Sequence, residues 1–259
     1  MKQNIYDNNE FFRQYEAIRE RKNNYNNLLE QPNFLTLVPQ LKDKVVLDIG
    51  CGMGDFATYC IRQGAKHVTG IDISLNMITA ATKLHRHEHL NFVNTAFEDM
   101  DIANDSIDFI SSSLVFHYIE DFQSLMEKVS AALSDGGTLV FSIEHPVVTA
   151  NKGGADWVST QDGHLLHFAM DRYQEEGLRS QNWLVDNVLT YHRTLSTILN
   201  TLIEVGLIIE KIIEPTPTIE AEKNLPGLSK EFRRPSFLIV RARKVRNKWG
   251  DSSGNYSPY

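Results

Sequence analysis

The residues best suited to chemistry form one run, Asp48-Ile49-Gly50-Cys51-Gly52-Met53-Gly54, directly after the apolar residues Val45-Val46-Leu47. A second apolar stretch ends at Gly70-Ile71-Asp72, so that Asp72 lies 24 residues after Asp48. Glycines let a backbone approach a ligand where a side chain would collide, and a carboxylate after the next strand can accept hydrogen bonds from both hydroxyls of a ribose. The spacing therefore predicts a site for a nucleoside-bearing cofactor at the carboxyl edge of a parallel sheet.

The elements that must position these residues alternate between strand and helix from Val45 onward. Asp121 is the expected N-cap of the third helix, and Gly136-Gly137 are expected to end it. This alternation is typical of an α/β fold with a parallel sheet and right-handed crossovers. The strands are expected at about residues 45–49, 67–71, 90–94, 107–112 and 138–143, and the helices at about 54–63, 75–84 and 121–133.

The remaining segments complete a single domain, residues 1–259. Residues 147–189 contain glycines, tryptophans and polar residues without a strand–helix period, and we interpret them as an insertion that folds over the sheet edge as a lid. Leucines and isoleucines from Leu195 predict an amphipathic helix that ends at Gly206. The other parts are an N-terminal cap of one or two short helices (1–40), a core (41–146 and 190–243) and a polar tail (244–259) that is expected to fray. The core is expected to close with two strands, at 207–213 and 235–242, which could pair antiparallel.

Composition excludes several classes of protein. The chain has 259 residues, a formal net charge of -7 and two cysteines, Cys51 and Cys60. The acidic balance weighs against a protein that holds long nucleic acid, and the cysteine usage fits a reducing cytosol and argues against a structural disulfide. No apolar run approaches the length of a signal peptide core or a membrane span. We therefore expect a cytoplasmic protein without membrane or nucleic-acid partners.

Several motifs in the same order resemble the class I S-adenosylmethionine (SAM)-dependent methyltransferases, and the chain is most similar to bacterial small-molecule members of the ubiquinone/menaquinone-methyltransferase type. The resemblance is carried by Asp48–Gly54, Asp72, Asn104–Ile110 and Leu133–Leu139. Two further motifs, Glu144-His145-Pro146 and Tyr191-His192-Arg193-Thr194, resemble features of one subgroup. The resemblance implies a Rossmann-like, seven-stranded, mostly parallel sheet whose last strand is antiparallel, with SAM as the cofactor.

The resemblance also implies which residues bind SAM. The glycines and Asp48 would lie beside its amino-acid end, and Asp72 would hold its ribose. The family often has an Asp at the position of Ala96, so Glu98 is expected to replace that carboxylate. The complete expected set is Tyr15, Arg19, Asp48, Gly50, Gly52, Gly54, Asp72, Ile73, Met77, Phe97, Glu98, Ser112 and Ser113.

On the acceptor side, a base is needed only if the methyl acceptor must lose a proton. His117 and His145 are candidate bases because each follows a strand, and the alternative for both is a loop or packing role. His192 is expected to open a helix, where it could contact the acceptor or act as a cap. Trp157 and Trp183 are either walls of an apolar acceptor pocket or packing residues. No metal is expected, since His85, His87 and His89 lie in a charged linker.

The sequence therefore predicts a SAM-dependent methyltransferase acting on a small molecule at nitrogen or oxygen, with carbon as a further option. An RNA or protein methyltransferase and a non-catalytic SAM sensor are the alternatives, and neither the acceptor nor the oligomeric state can be read from the sequence. The G-x-G-x-G spacing, unlike the G-x-G-x-x-G of dinucleotide enzymes, argues against an NAD-dependent dehydrogenase.

Overall fold

A central seven-stranded sheet organises the molecule, which is known from a computed structural model that describes residues 3–153 and 156–245. Its strand order is β10-β11-β5-β4-β1-β2-β3, so the chain reverses direction across the sheet between β1 and β4. The strands of this sheet are β1 (Val45–Ile49), β2 (His67–Asp72), β3 (Leu90–Asn94), β4 (Ile107–Ser113), β5 (Leu133–Glu144), β10 (Leu207–Ile213) and β11 (Phe237–Lys244). In an open α/β sheet, ligands bind at the carboxyl ends of the strands beside such a reversal.

Strand β11 is antiparallel to both of its neighbours, β5 and β10, whereas the neighbouring pairs among β1, β2, β3, β4 and β5 are parallel. The predicted Rossmann-like sheet and its closing antiparallel pair are thereby confirmed. In the register of the sheet, Asp48 is opposite Gly70 on one side and Ser111 on the other. The residues expected to bind the cofactor therefore meet at one edge.

Eight α-helices accompany these strands within the described residues. Several start at side-chain caps: Ser74 accepts the N–H of Met77, and Asp121 accepts that of Ser124 at 2.9 Å, as expected for Asp121. The helices are α1 (Asn9–Glu20), α2 (Gln31–Leu35), α3 (Asp55–Arg62), α4 (Leu75–Leu84), α5 (Phe122–Ala132), α6 (Pro146–Thr149), α7 (Leu195–Glu204) and α8 (Ile219–Asn224), with a π-helical turn at Asn26–Glu30.

One helix end was predicted wrongly. Helix α5 ends at Ala132, because the backbone of Leu133 is already extended and begins β5 by pairing with Ile107. Gly136 and Gly137 therefore lie inside the first part of β5 and do not terminate the helix. A side chain at Gly137 would come within 2.8 Å of the Ser134 carbonyl oxygen, which explains a glycine there.

Both faces of the sheet are covered, as a parallel sheet requires. Alternate residues along the strands separate the core into two layers. Leu47, Ile110 and Leu139 pack with α5 and α7 on one face, while Val46 and Phe109 pack with α2 and α3 on the other. This packing fixes the strand ends that carry the candidate site.

The insertion consists of two antiparallel hairpins, which the sequence pattern did not reveal. They are formed by β6 (Asp156–Ser159) with β7 (Leu165–Ala169), and by β8 (Gly177–Trp183) with β9 (Val185–His192). The second hairpin extends past the expected boundary at residue 189. It contacts the N-terminal segment, since Gln3 Nε2 donates to the Asn187 carbonyl oxygen and the Leu189 N–H donates to Gln3 Oε1, each at 2.8 Å.

The C-terminal tail predicted to fray falls mainly on residues 246–259, which lie outside the described residues; β11 itself continues to Lys244. Across residues 3–153 and 156–245, none of the helices combines the length and apolar character that crossing a membrane requires.

Candidate cofactor and acceptor site

A cavity of about 610 Å³ lies at the carboxyl edge of the sheet. Pockets for small ligands usually measure about 300–1,000 Å³. The ends of β1, β2, β4 and β5 form its floor, and residues of the N-terminal segment and of β8 form its walls. The cavity therefore joins the predicted cofactor residues to parts of the chain that are distant in sequence.

The glycine loop after β1 is held against β2 by two hydrogen bonds, from the N–H groups of Gly50 and Cys51 to the Ile71 carbonyl oxygen at 2.8 and 2.9 Å. Gly50, Gly52 and Gly54 all have positive φ angles, of 71°, 53° and 86°. A Cβ on Gly50 would lie 2.2 Å from Val115 Cγ2, whereas a Cβ on Gly52 would meet nothing within 4 Å. Gly50 is thus required by packing, and Gly52 leaves open space on the cavity side.

Gly54 has a different role from the other two glycines. It precedes α3 as its N-cap and does not line the cavity, and a Cβ there would lie 2.5 Å from Phe92 Cζ. The structure therefore places Gly54 at a helix–strand contact behind the loop, because the left-handed turn that starts α3 points away from the cavity.

Asp72, at the end of β2, connects the loop to α4. Its Oδ2 accepts the N–H of Gly52 at 3.0 Å, and its Oδ1 accepts that of Ser74 at 2.8 Å. Each carboxylate oxygen has a second lone pair, so both remain able to accept hydroxyl groups of a ligand. Burial raises the pKa of Asp72 to about 6, although the two N–H groups act against this rise.

Asp48, at the end of β1, is 3% exposed, and its Oδ1 accepts the Ser111 hydroxyl at 2.8 Å. Its other oxygen, Oδ2, is buried and has no hydrogen-bond partner among the described residues. Burial raises the pKa of Asp48 to about 7. An unpartnered carboxylate oxygen on the cavity floor fits the ammonium group of an amino acid, which would supply the missing donors.

The N-terminal segment closes the cavity from above. Tyr15 and Arg19 of α1 line it, and Arg19 lies 3.5 Å from the carboxylate of Asp55. Sequence reasoning missed the residue that anchors this segment: Asp7 accepts the Ser74 hydroxyl at 2.6 Å and the Asn76 N–H at 3.0 Å at the start of α4. A carboxylate is favourable there because a helix N-terminus carries partial positive charge.

The remaining predicted cofactor residues divide into those that line the cavity and one that does not. Ser113 lines it and donates to the buried Glu30 at 3.0 Å. Ser112 points to the opposite face of the sheet from Ser113, and its hydroxyl donates to the Ile49 carbonyl oxygen. It therefore stabilises β1 and does not line the cavity. The other lining residues of the expected set are Ile73, Met77, Phe97 and Glu98.

Of the three candidate histidines, the structure brings only His117 to the cavity. Burial, aided by the charge of Arg193, lowers the pKa of His117 to about 3, so the ring is neutral at pH 7. Its Nδ1 accepts the backbone N–H of Glu144 at 3.4 Å. This contact favours the tautomer with the ring proton on Nε2, in which His117 donates a hydrogen bond from that nitrogen.

His145 and His192 do not line the cavity, and both make structural contacts elsewhere. His145 is the N-cap of α6: its Nδ1 accepts the Val147 N–H at 3.1 Å, and its Nε2 lies 2.9 Å from Glu214. His192 does not open a helix. It ends β9 as a fully buried residue between Thr149 (2.7 Å) and the Tyr173 carbonyl oxygen (2.9 Å).

The two tryptophans of the insertion lie in different surroundings. Trp183 lines the cavity, and its ring packs on Phe11 and Tyr15 at centroid distances of 5.3 and 6.4 Å. Trp157 does not line it and contacts Phe168 and the Arg233 guanidinium instead. The reason is that the β6–β7 hairpin packs on the connection before β11 rather than over the sheet edge.

The sequence analysis gave no role to several cavity residues, among them two tyrosines and a glutamate. Tyr6, Tyr118 and Glu144 all line the cavity. Tyr6 packs edge-on against Tyr15 and Tyr118, at 5.1 and 6.4 Å between ring centroids. The signal for Glu144 was present, because it is the last residue of β5 and strand ends carry functional groups in this kind of sheet.

In the described part of the chain, no three His, Cys, Asp or Glu side chains are arranged to hold a metal ion. The sheet order, the glycine loop and the acid after β2 instead define a Rossmann-like protein that binds a nucleoside-bearing cofactor. The unpartnered Asp48 oxygen and the open face of Gly52 fit SAM at this site.

Comparison with known proteins identifies the class more closely. Residues 47–141 match the family model of a methyltransferase domain. A structure described as a SAM-dependent methyltransferase from Listeria monocytogenes is 38% identical, with a TM-score of 0.79, and covers 84% of this chain and 97% of its own. One from Mesorhizobium loti is 35% identical, with a TM-score of 0.78 and coverages of 83% and 97%. An uncharacterized Haemophilus influenzae protein is 35% identical over 251 residues, which are 93% of this chain and 97% of that protein. The chain belongs to the SAM-dependent methyltransferases.

Proposed function

We propose that this enzyme transfers the methyl group of SAM to a small-molecule acceptor at nitrogen or oxygen. The observation that carries the proposal is the enclosure of one cavity by the N-terminal segment and the β8–β9 hairpin. A cavity closed in this way admits a small molecule more readily than a folded protein or an RNA helix. The acidic net charge of -7 also disfavours RNA as the acceptor.

The proposed division of the cavity follows its chemistry. Asp48 and Arg19 would hold the amino-acid end of SAM by charge, Asp72 would hold the ribose, and Met77 and Phe97 would lie against the adenine. When bound, SAM supplies a methyl group on a sulfonium, a leaving group that needs no further activation. The chain's own contribution is then to orient the acceptor and to exclude water.

We propose in addition that the β8–β9 hairpin of the insertion acts as a lid together with the N-terminal cap. The support lies in the contacts of Gln3 with β9 and of Trp183 with Tyr15, which join the two segments above the cavity. Opening this contact would admit the acceptor, and closing it would exclude water during transfer. SAM should protect the N-terminal segment from hydrogen exchange, and the acceptor should protect the β8–β9 hairpin.

The proposal is tested by incubating the full chain with methyl-labelled SAM and a deproteinised metabolite extract of bacterial cells. Label is expected in one small molecule, and the Asp72→Ala variant should produce far less. Label that instead enters added protein or RNA would favour the macromolecular alternatives. Tight SAM binding without any transfer would indicate a sensor, and calorimetric binding of NAD in place of SAM would end the proposal.

A further inference from the structure

Glu144 is the ionisable group that projects into the cavity from the end of β5, next to the end of β4. Gln181 of β8 donates from Nε2 to its Oε2 at 3.2 Å. A carboxylate can accept about four hydrogen bonds, so most of its accepting capacity is left for a ligand. Glu144 is therefore positioned by the lid hairpin and directed at the space that the proposed SAM residues do not occupy.

The surroundings of Glu144 favour a cationic group. Tyr6, Tyr118 and Trp183 line the same cavity, and aromatic faces attract ammonium groups. An anionic acceptor would meet the carboxylate of Glu144, and charge repulsion would oppose it. Arg19, a cation that lines the same cavity, lies 3.5 Å from Asp55 and is the group proposed to hold the carboxylate of SAM.

The neighbouring histidine is a poor base, since burial lowers the pKa of His117 to about 3 and its Nδ1 already accepts the N–H of Glu144. A carboxylate, in contrast, only accepts hydrogen bonds and can receive a proton. Burial raises the pKa of Glu144, with Gln181 and the charge of Arg234 acting against the rise, and a raised pKa makes the carboxylate a better proton acceptor. Glu144 can therefore act both as the base and as the group that recognises a positive charge on the acceptor.

We propose that Glu144 binds the ammonium group of the acceptor and removes its proton, and that the acceptor is a small primary or secondary amine. This inference rests on the proposed methyl transfer. The proton passes from nitrogen to the Glu144 carboxylate, and the freed nitrogen lone pair forms the new N–C bond as the C–S bond breaks. The electron pair of that bond stays on sulfur, and the product is a methylated ammonium. Glu144 then releases its proton to solvent.

Two bisubstrate analogues of SAM test the proposal while the acceptor is still unidentified. Both carry nitrogen in place of sulfur; one replaces the methyl group by a 2-aminoethyl arm and the other by a 2-hydroxyethyl arm. Calorimetry on the full chain should show tighter binding of the aminoethyl compound by about 10-fold or more, the usual strength of a charge-assisted hydrogen bond. The preference should fall below about 2-fold in Glu144→Gln and persist in Glu204→Gln, a matched change at an exposed carboxylate at the end of α7, outside the cavity.

Equal binding of the two compounds to the wild-type protein overturns the proposal, as does an unchanged preference in Glu144→Gln. The wild-type comparison needs no variant, so it decides the matter even if Glu144→Gln does not fold. S-Adenosylhomocysteine serves as the control, since its failure to bind would count against the proposed function rather than against Glu144. The labelled product should also be retained by a cation exchanger at pH 7, and a neutral or anionic product contradicts the amine.

Discussion

Asp48→Asn is expected to stabilise the SAM-free protein at pH 8 and to weaken SAM binding. Burial raises the pKa of Asp48 from its ordinary 3.8 to about 7, so the folded protein binds this proton more tightly than the unfolded chain does. A group of this kind favours the folded state fully at low pH, and its favourable contribution is lost as the pH rises from about 4 through about 7. An amide carries no such ionisation.

The magnitude follows from the same values. The rise from 3.8 to about 7 spans about 3 pH units, each worth about 1.4 kcal/mol, which gives about 4 kcal/mol at pH 8 as an upper value. For a chain of this length that corresponds to roughly 8 °C in Tm. At pH 5 the gain should shrink to about 1.6 kcal/mol, because the folded carboxyl is then largely protonated.

Thermal unfolding of both proteins at pH 5 and pH 8 measures this difference. Asp101→Asn, a change at an exposed carboxylate, serves as the control and should leave the Tm unchanged at both pH values. Calorimetry should show SAM binding to Asp48→Asn weakened about 10- to 100-fold through loss of a charge-assisted contact. A gain that is equal at both pH values, or no gain at pH 8, would refute the idea that an ionised, unpartnered Asp48 destabilises the free protein.

Three further expectations concern the loop, the ribose site and the lid. Asp72→Ala should raise the Kd for SAM by about 100-fold or more, since two hydrogen bonds to a charged group are lost; unchanged affinity in a folded variant would remove Asp72 from the ribose site. Gly50→Ala should lower Tm more than Gly52→Ala, because only at Gly50 does a methyl group meet a neighbouring side chain, at 2.2 Å; equal losses would show that the φ angle alone matters. Trp183→Ala should change acceptor turnover with SAM affinity nearly intact, whereas Trp157→Ala should change neither, and full activity of the Trp183 variant would contradict the lid.

The sheet and the cofactor edge could be predicted from the sequence because their signals are local. A glycine spacing, a carboxylate at a strand end and an apolar run each act within a few residues, and the order of strands follows from their alternation with helices. The direction in which a side chain points at the end of a strand is harder to predict. Ser112 and Ser113 face opposite ways, as do Glu144 and His145, so a one-residue difference exchanges a cavity residue for a structural one.

The walls of the cavity could not be predicted in the same way. Asp7 acts through Ser74, and Gln3 through Leu189, which are contacts between segments far apart in the chain. Nothing in the local sequence around residues 3–7 indicates that it caps α4 or pairs with a hairpin of the insertion. The same holds for Trp157 and Trp183, whose surroundings are decided by how each hairpin docks.

One property of the cavity follows from the three strand-end carboxylates taken together. Burial raises the pKa values of Asp48, Asp72 and Glu144, and burial together with the charges of Asp48 and Asp72 raises the pKa of the Cys51 thiol between them. A raised pKa marks a carboxylate that burial makes costly to ionise, and a bound sulfonium or ammonium group would favour its ionised form, so these groups favour cationic ligands over neutral ones. Methyl transfer converts the sulfonium to a neutral thioether, so we expect these carboxylates to hold S-adenosylhomocysteine less strongly than SAM. The arrangement that recruits the substrates thus also aids release of the spent cofactor.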